Sequence, residues 1–249
     1  MEQVFTYRSA NDDRRKLGLI ALQADQSIED DLRRLLPRDV SLLVSRVPSG
    51  EEVTPDSLRA MEGHLTAAAA LFPKDHQFDA VGYGCTSGTS QIGAAKVAER
   101  VQAGTRVQRV TEPVSALVAA CRAAKIRRLA VLSPYVASVS NRLREVLQTE
   151  GIETPVFGSF AEPKEARVVS IDGPSIITAS TQLMQGTKVD GLFLSCTNLR
   201  TLEVITAIEE ATGLPVLSSN QVLAWHLLKL AGIAPSPSLP GHLWQAKTG

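Results

Sequence analysis

The feature that most constrains the fold of this chain is an internal repeat. Leu17-Gly18-Leu19-Ile20-Ala21-Leu22 is answered by Leu129-Ala130-Val131-Leu132-Ser133-Pro134 at an offset of 112. Phe78-Asp79-Ala80-Val81 is answered by Val189-Asp190-Gly191-Leu192, and Cys85-Thr86 by Cys196-Thr197, both at an offset of 111. Pro113-Val114-Ser115 is a looser counterpart of Pro215-Val216-Leu217-Ser218. Short apolar runs that alternate with helical stretches predict an α/β architecture with parallel sheets. The repeat predicts two pseudo-symmetric halves, 17–125 and 126–230, each a parallel sheet flanked by helices, with polar tails at 1–16 and 236–249. The last helix is free to pack back on the first half.

Strands are expected at 17–22, 40–47, 78–84, 106–110, 127–134, 154–160, 189–195 and 214–218. Helices are expected at 27–36, 55–71, 88–103, 113–124, 138–150, 173–186, 199–212 and 220–231. Pro37, Gly104, Gly151 and Gly213 stand where helices stop. The stretch 158–175 reads as a long connection, either a lid over a cleft or a simple bridge.

Composition removes several classes of function. Twenty-six basic residues balance 26 acidic ones, so no general attraction to nucleic acid or an anionic membrane is expected. No apolar run is long enough to span a bilayer, and the polar start MEQVFTYRSANDDRRK lacks a signal-peptide core, so the expectation is a cytoplasmic protein. Three cysteines without a CxxC pair, and four scattered histidines, fit neither a disulfide framework nor a zinc site. Cys121 lies in an alanine-rich apolar helix and reads as core, and His226 reads as a packed or partly exposed residue.

Parallel sheets present ligands at the carboxyl ends of their strands. Cys85 and Cys196 both follow predicted strands, so facing halves place two thiols on opposite walls of one cleft. A helix N-terminus favours the thiolate, the reactive form. Two thiols facing one carbon can divide the work between base or nucleophile and acid, without metal or organic cofactor. Thr86, Ser87, Thr197, Asn198, Ser219 and Asn220 surround these positions with hydroxyl and amide groups suited to a carboxylate. Thr86, Ser219 and Asn220 serve equally well as helix caps.

GCTS at 84–87, SPY at 133–135, SCTN at 195–198 and LPVLSSNQ at 214–221 resemble the aspartate/glutamate racemase superfamily, in the branch of maleate isomerase and arylmalonate decarboxylase. GCTSGT and the SSNQ-x3-WH pattern ending at His226 also resemble the EutA-like ectoine-utilisation proteins. The resemblance implies two α/β halves with a cofactor-independent site between them. It implies that Cys85 and Cys196 are catalytic, and that Thr86, Ser87 and Tyr135 hold a substrate carboxylate. In the isomerases the cysteine matching Cys85 adds to the alkene and the one matching Cys196 handles the proton. In racemases the two are opposed bases. In the decarboxylases the first cysteine is absent. The expectation is an isomerase, of racemase or cis–trans type, acting on a small carboxylic acid. The alternatives are a decarboxylase and a non-catalytic binding protein for a small acid. Relatives of this kind are commonly oligomeric, which makes a homodimer the expectation.

One departure bears on the substrate. Leu22-Gln23-Ala24-Asp25 stands where the isomerases carry a Pro-Ser-Ser-Asn turn whose asparagine holds a carboxylate. Asp25 would repel a dicarboxylate and suit a nitrogen-bearing acid, or would cap the helix beginning near Ser27; Gln23 is the alternative replacement for the asparagine.

Overall fold

The computed structural model describes residues 2–10 and 12–245. The first half runs β1 (Arg15–Leu22), α1 (Ile28–Leu35), β2 (Val40–Val47), α2 (Pro55–Ala60), α3 (Glu62–Ala69), β3 (Ala80–Gly84), α4 (Thr86–Ile92), α5 (Ala94–Gly104), β4 (Val110–Thr111) and α6 (Pro113–Ala124). The second runs β5 (Arg128–Ser133), α7 (Ala137–Thr149), β6 (Glu153–Ser159), α8 (Glu165–Val168), α9 (Gly173–Met184), β7 (Gly191–Leu194), α10 (Ile205–Thr212), β8 (Val216–Ser218) and α11 (Ser219–Ala231). Two four-stranded sheets result, ordered β2-β1-β3-β4 and β6-β5-β7-β8. Every strand pairing is parallel. The equal strand order in both sheets is the tertiary counterpart of the sequence repeat.

The central strands are apolar because helices cover both their faces. In β1 the run Leu17–Leu22 is buried throughout, and β3 and β7 are buried along their whole lengths. α1 buries Ile28, Leu32 and Leu35 along one face, with Glu29, Asp30 and Asp31 in its first turn and Arg33 and Arg34 in its last, matching the helix dipole.

The helix that follows each sheet packs across the junction. Val114, Leu117 and Cys121 of α6 share a core with Leu129 and Val131 of β5 and Phe193 of β7. Leu223 and Leu227 of α11 lie over β3, where a Cβ on Gly82 would stand 3.2 Å from Leu227 and 3.3 Å from Leu223. Gly82 therefore sets how closely α11 can approach the first sheet.

Several expected elements differ. The 55–71 helix is two, α2 and α3, meeting at Met61. The 88–103 helix is α4 and α5, broken at Gly93, whose φ of +94° favours glycine. The 106–110 strand shrinks to Val110–Thr111 plus an isolated bridge from Phe78 to Val107, since it forms the edge of its sheet and pairs on one side only. The 199–212 helix starts only at Ile205. The tail from Ser236 is not wholly irregular: His242–Gln245 forms a 3₁₀ turn with Leu243 buried, and the His242 N–H donates to Glu209. Trp244 packs against this chain's own core, and residues 246–249 of the tail lie outside the described residues. No helix among the described residues is long and apolar enough to cross a membrane.

Candidate active site

Both cysteines sit at carboxyl ends of strands, as the repeat requires. Cys85 follows β3 directly and is the N-cap of α4; its Sγ accepts the Gly88 N–H at 3.1 Å. Gly88 is needed here: a Cβ would lie 2.8 Å from Cys85 Sγ and 2.7 Å from the Tyr83 hydroxyl. Cys196 lies just past β7 in a turn, not at a helix N-terminus as the sequence suggested, because α10 begins nine residues later. Its φ of +108° is unusual for a residue with a side chain. Two bonds hold that geometry: Cys196 N–H donates to Ser219 Oγ at 3.0 Å, and Asn198 N–H donates to Cys196 Sγ at 3.3 Å.

The two cysteine segments are stitched together across the halves. Thr86 Oγ1 bonds Ser219 Oγ at 2.8 Å, so one serine hydroxyl joins the residue after Cys85 to the amide of Cys196. In return, the Thr197 hydroxyl donates to Gly84 O at 3.2 Å. Asn220 donates to Thr197 O and to Asp31 Oδ2, both at 2.8 Å. Thr86, Ser219 and Asn220 thus act as struts of the site. Ser87, in the first turn of α4, is buried and engages in none of these bonds.

Tyr135 lies against Cys196: its hydroxyl is 2.9 Å from Cys196 Sγ and donates to Glu165 Oε1 at 2.7 Å. Asn198 Nδ2 donates to Glu165 Oε2 at 2.8 Å, while its Oδ1 accepts the Gln26 N–H at 2.9 Å. Glu165 was not identified from the sequence. It belongs to α8, inside the 158–175 connection, which does close over the site. An isolated antiparallel bridge pairs Glu52 with Lys164, and Val53 N–H donates to Pro163 O at 3.0 Å. The only sequence signal for Glu165 was its place in a connection too long for a plain turn.

Asp25 caps α1, one of the two roles expected of it. Its Oδ1 accepts the N–H groups of Ser27 at 2.8 Å and Ile28 at 2.9 Å, capping α1. The Thr197 hydroxyl is nearby, but its proton goes to Gly84 O, and Asp25 Oδ2 remains buried without a partner. Gln23 does not enter the site. It is exposed, and its backbone N–H donates to Val47 O, which extends the β1–β2 pairing.

Burial dominates the electrostatics. Cys85 and Cys196 are each 4 % exposed. Burial pushes the Cys85 thiol up to about 12; the Gly88 N–H opposes this, and Glu165 and Asp25 add to it. Burial also raises Cys196 well above the ordinary thiol range, with Glu165 adding to the effect. The thiolate-favouring helix terminus expected for both is therefore present only at Cys85, and is outweighed there. Burial likewise raises Glu165 and Asp25. Because the tyrosine proton is committed to Glu165, the phenol oxygen is free to accept the Cys196 S–H. Each thiol sulfur also accepts one backbone N–H, Cys85 from Gly88 and Cys196 from Asn198.

No group of His, Cys, Asp and Glu among the described residues is arranged to hold a metal ion. A surface cavity of about 480 Å³ lies by Trp225, Leu228, Ile233 and Trp244 near the far end of α11, away from the thiols. His226 is also outside the site; its Nδ1 lies 2.7 Å from Thr111 Oγ1.

Two like-ordered parallel sheets, each with a cysteine just past its third strand, match the two-halved fold that the resemblance to the aspartate/glutamate racemase superfamily implied. The chain belongs to the arylmalonate decarboxylase family, whose profile matches residues 96–244. It is 24 % identical over 227 residues to a maleate isomerase of Nocardia farcinica, covering 86 % of this chain and 89 % of that protein. Its fold superposes on a maleate isomerase mutant from Pseudomonas putida S16 with maleate at a TM-score of 0.82, with 21 % identity, covering 94 % of this chain and 98 % of that one. A Nocardia farcinica maleate cis–trans isomerase mutant with a covalently bound succinylcysteine intermediate superposes at 0.80, with 22 % identity, covering 94 % and 99 %.

Proposed function

We propose that the protein is a cofactor-independent isomerase that acts on a small carboxylic acid through Cys85 and Cys196. The observation that carries this reading is a buried thiol at the end of a central strand in each half, Cys85 Sγ accepting the Gly88 N–H at the start of α4 and Cys196 Sγ lying 2.9 Å from the Tyr135 hydroxyl. Similarity to maleate isomerases, one of them caught as a cysteine adduct, supports cis–trans chemistry.

In this mechanism Cys85 gives up its proton to water as the substrate enters, and the thiolate adds to one alkene carbon while Cys196 S–H delivers its proton to the other. The saturated adduct turns about its new single bond. Cys196 thiolate then takes a proton from the same carbon, the Cys85 C–S bond breaks, and the trans acid leaves. Atoms and electrons return to their starting state. Tyr135 and Glu165 hold the Cys196 proton in place, and the first turn of α4, with Ser87, offers donors for a substrate carboxylate.

Proton NMR in D₂O with cis-unsaturated acids, single enantiomers of amino acids, and phenylmalonate tests the reading without added cofactor. The expected result is trans product from a cis acid, lost in Cys85→Ser. Decarboxylation of phenylmalonate that survives Cys85→Ser would move the protein to the alternative chemistry. No change in any substrate would refute the proposal for this substrate class.

A further inference from the structure

The donors suited to a second substrate carboxylate are already occupied by a protein carboxylate. Glu165 takes the Tyr135 hydroxyl on one oxygen at 2.7 Å and the Asn198 amide on the other at 2.8 Å. Its position is fixed by backbone as well as side chain: Glu165 N–H donates to Glu51 O at 3.3 Å, beside the Glu52–Lys164 bridge. The side chain is 5 % exposed, and its hydrogen-bond partners include no cation. Asp25, 3 % exposed, adds a second carboxyl whose Oδ2 has no partner.

This end of the site therefore offers acceptors and few free donors. A buried carboxylate placed there would meet two like groups and find the tyrosine and amide donors taken. An amide N–H₂ or an ammonium would instead satisfy Asp25 Oδ2 and share the Glu165 oxygens. A site built around a hydrogen-bonding group rejects an analogue that leaves that group unpaired far more strongly than an apolar pocket rejects a misfit.

We infer that Glu165, with Asp25, determines specificity, selecting a small acid with one carboxylate and, at its other end, an amide or ammonium group rather than a second carboxylate. The inference rests on the proposed site between Cys85 and Cys196. It concerns which end groups are bound, and its test is separable from turnover.

Maleamate and maleate differ only by an amide in place of one carboxylate, so they are the probes. Dissociation constants are measured by calorimetry on Cys85→Ser protein, which cannot form the adduct, with and without Glu165→Gln. Maleamate is expected to bind at least about tenfold tighter than maleate, and Glu165→Gln to bring the two within about threefold. Asp25→Asn, which keeps an oxygen to cap α1, is expected to narrow the same ratio and serves if Glu165→Gln does not fold. Equal affinity for both acids, a ratio untouched by either variant, or binding of neither acid overturns the inference. Equal tightening of both acids by Glu165→Ala also overturns it, because Glu165 would then be a plug that leaves when substrate binds. Preference without turnover by the wild-type chain refutes the isomerase reading and leaves this one standing; turnover without preference does the reverse.

Discussion

Removing the Ser219 hydroxyl should uncouple the halves at the point where the two cysteine segments are joined. Ser219 is fully buried, and its Oγ accepts the Cys196 N–H at 3.0 Å and bonds Thr86 Oγ1 at 2.8 Å. The α11 N-cap is a different residue, Ser218, whose side chain accepts from Gln221 N–H at 3.3 Å, so Ser219→Ala leaves the cap in place. The alanine fits without strain, which confines the effect to two bonds. A buried N–H left without its acceptor costs about 1–3 kcal/mol, and the lost hydroxyl pair about 0.5–1.5 kcal/mol, giving roughly 1.5–4.5 kcal/mol. Urea unfolding at neutral pH, compared by midpoint at constant slope, reads this directly. A cycle with Thr86→Val should return a coupling on the order of 1 kcal/mol between the two positions. Activity should fall with stability, because the positive φ of Cys196 depends on the same bond. A loss under about 0.5 kcal/mol, well below the cost of one orphaned amide, would refute the claim that this hydroxyl joins the two cysteine segments.

Asp31 gives a pH signature. Burial raises its carboxyl from 3.8 to about 6, against the Asn220 bond, so the folded chain holds that proton more tightly than the unfolded chain. Its contribution to stability is full below 3.8 and lost as pH rises through about 6. Asp31→Asn should therefore raise stability at pH 7–8 by up to about 3 kcal/mol, with the gain vanishing below about pH 4; identical pH slopes for variant and wild type in thermal unfolding would contradict this. With Cys85 pushed up to about 12 from 9.0, its thiolate fraction at pH 8 is about a thousandfold below that of an ordinary thiol. Iodoacetamide labelling of the ligand-free protein, mapped by mass spectrometry, should be slower by at least that factor; labelling at the rate of a free thiol would show the site to be open. Gly88→Ala would force a Cβ within 2.8 Å of Cys85 Sγ and 2.9 Å of Met61 Cε. It should cost about 1–3 kcal/mol by overpacking and abolish turnover; an unchanged melting temperature would count against the close approach.

The paired Cys-Thr segments and their strand-end positions were legible because a parallel strand buried on both faces must be a short apolar run. Strand 40–47 and helix 113–124 match β2 and α6 residue for residue. Pro113 at the first turn and Lys125 in the left-handed conformation bound that helix locally. Helix breaks were harder to see. The 55–71 and 88–103 segments have continuous helical patterning, yet the chain breaks them at Met61 and at Gly93, whose φ of +94° a lone glycine in a helical pattern does not announce. The start of α10 was missed for the same reason: residues 199–204 have helical composition, but Asn198 is committed to Gln26 and Glu165 across the site.

The sequence by itself determined that the chain is a duplicated α/β protein, which residues end its central strands, and that two thiols belong to those ends. These are consequences of local burial and periodicity, which the order of residues records. Only the tertiary structure decided that Glu165 joins Tyr135 and Asn198, that Ser219 ties Thr86 to Cys196, and that Gln23 stays outside while Asp25 is both cap and unpaired acid. Each of those facts is a meeting of groups far apart in the chain, set by how two sheets and one folded-over connection close on each other. Hydrogen bonds of that kind have no period in the sequence and become visible only when the halves are brought together.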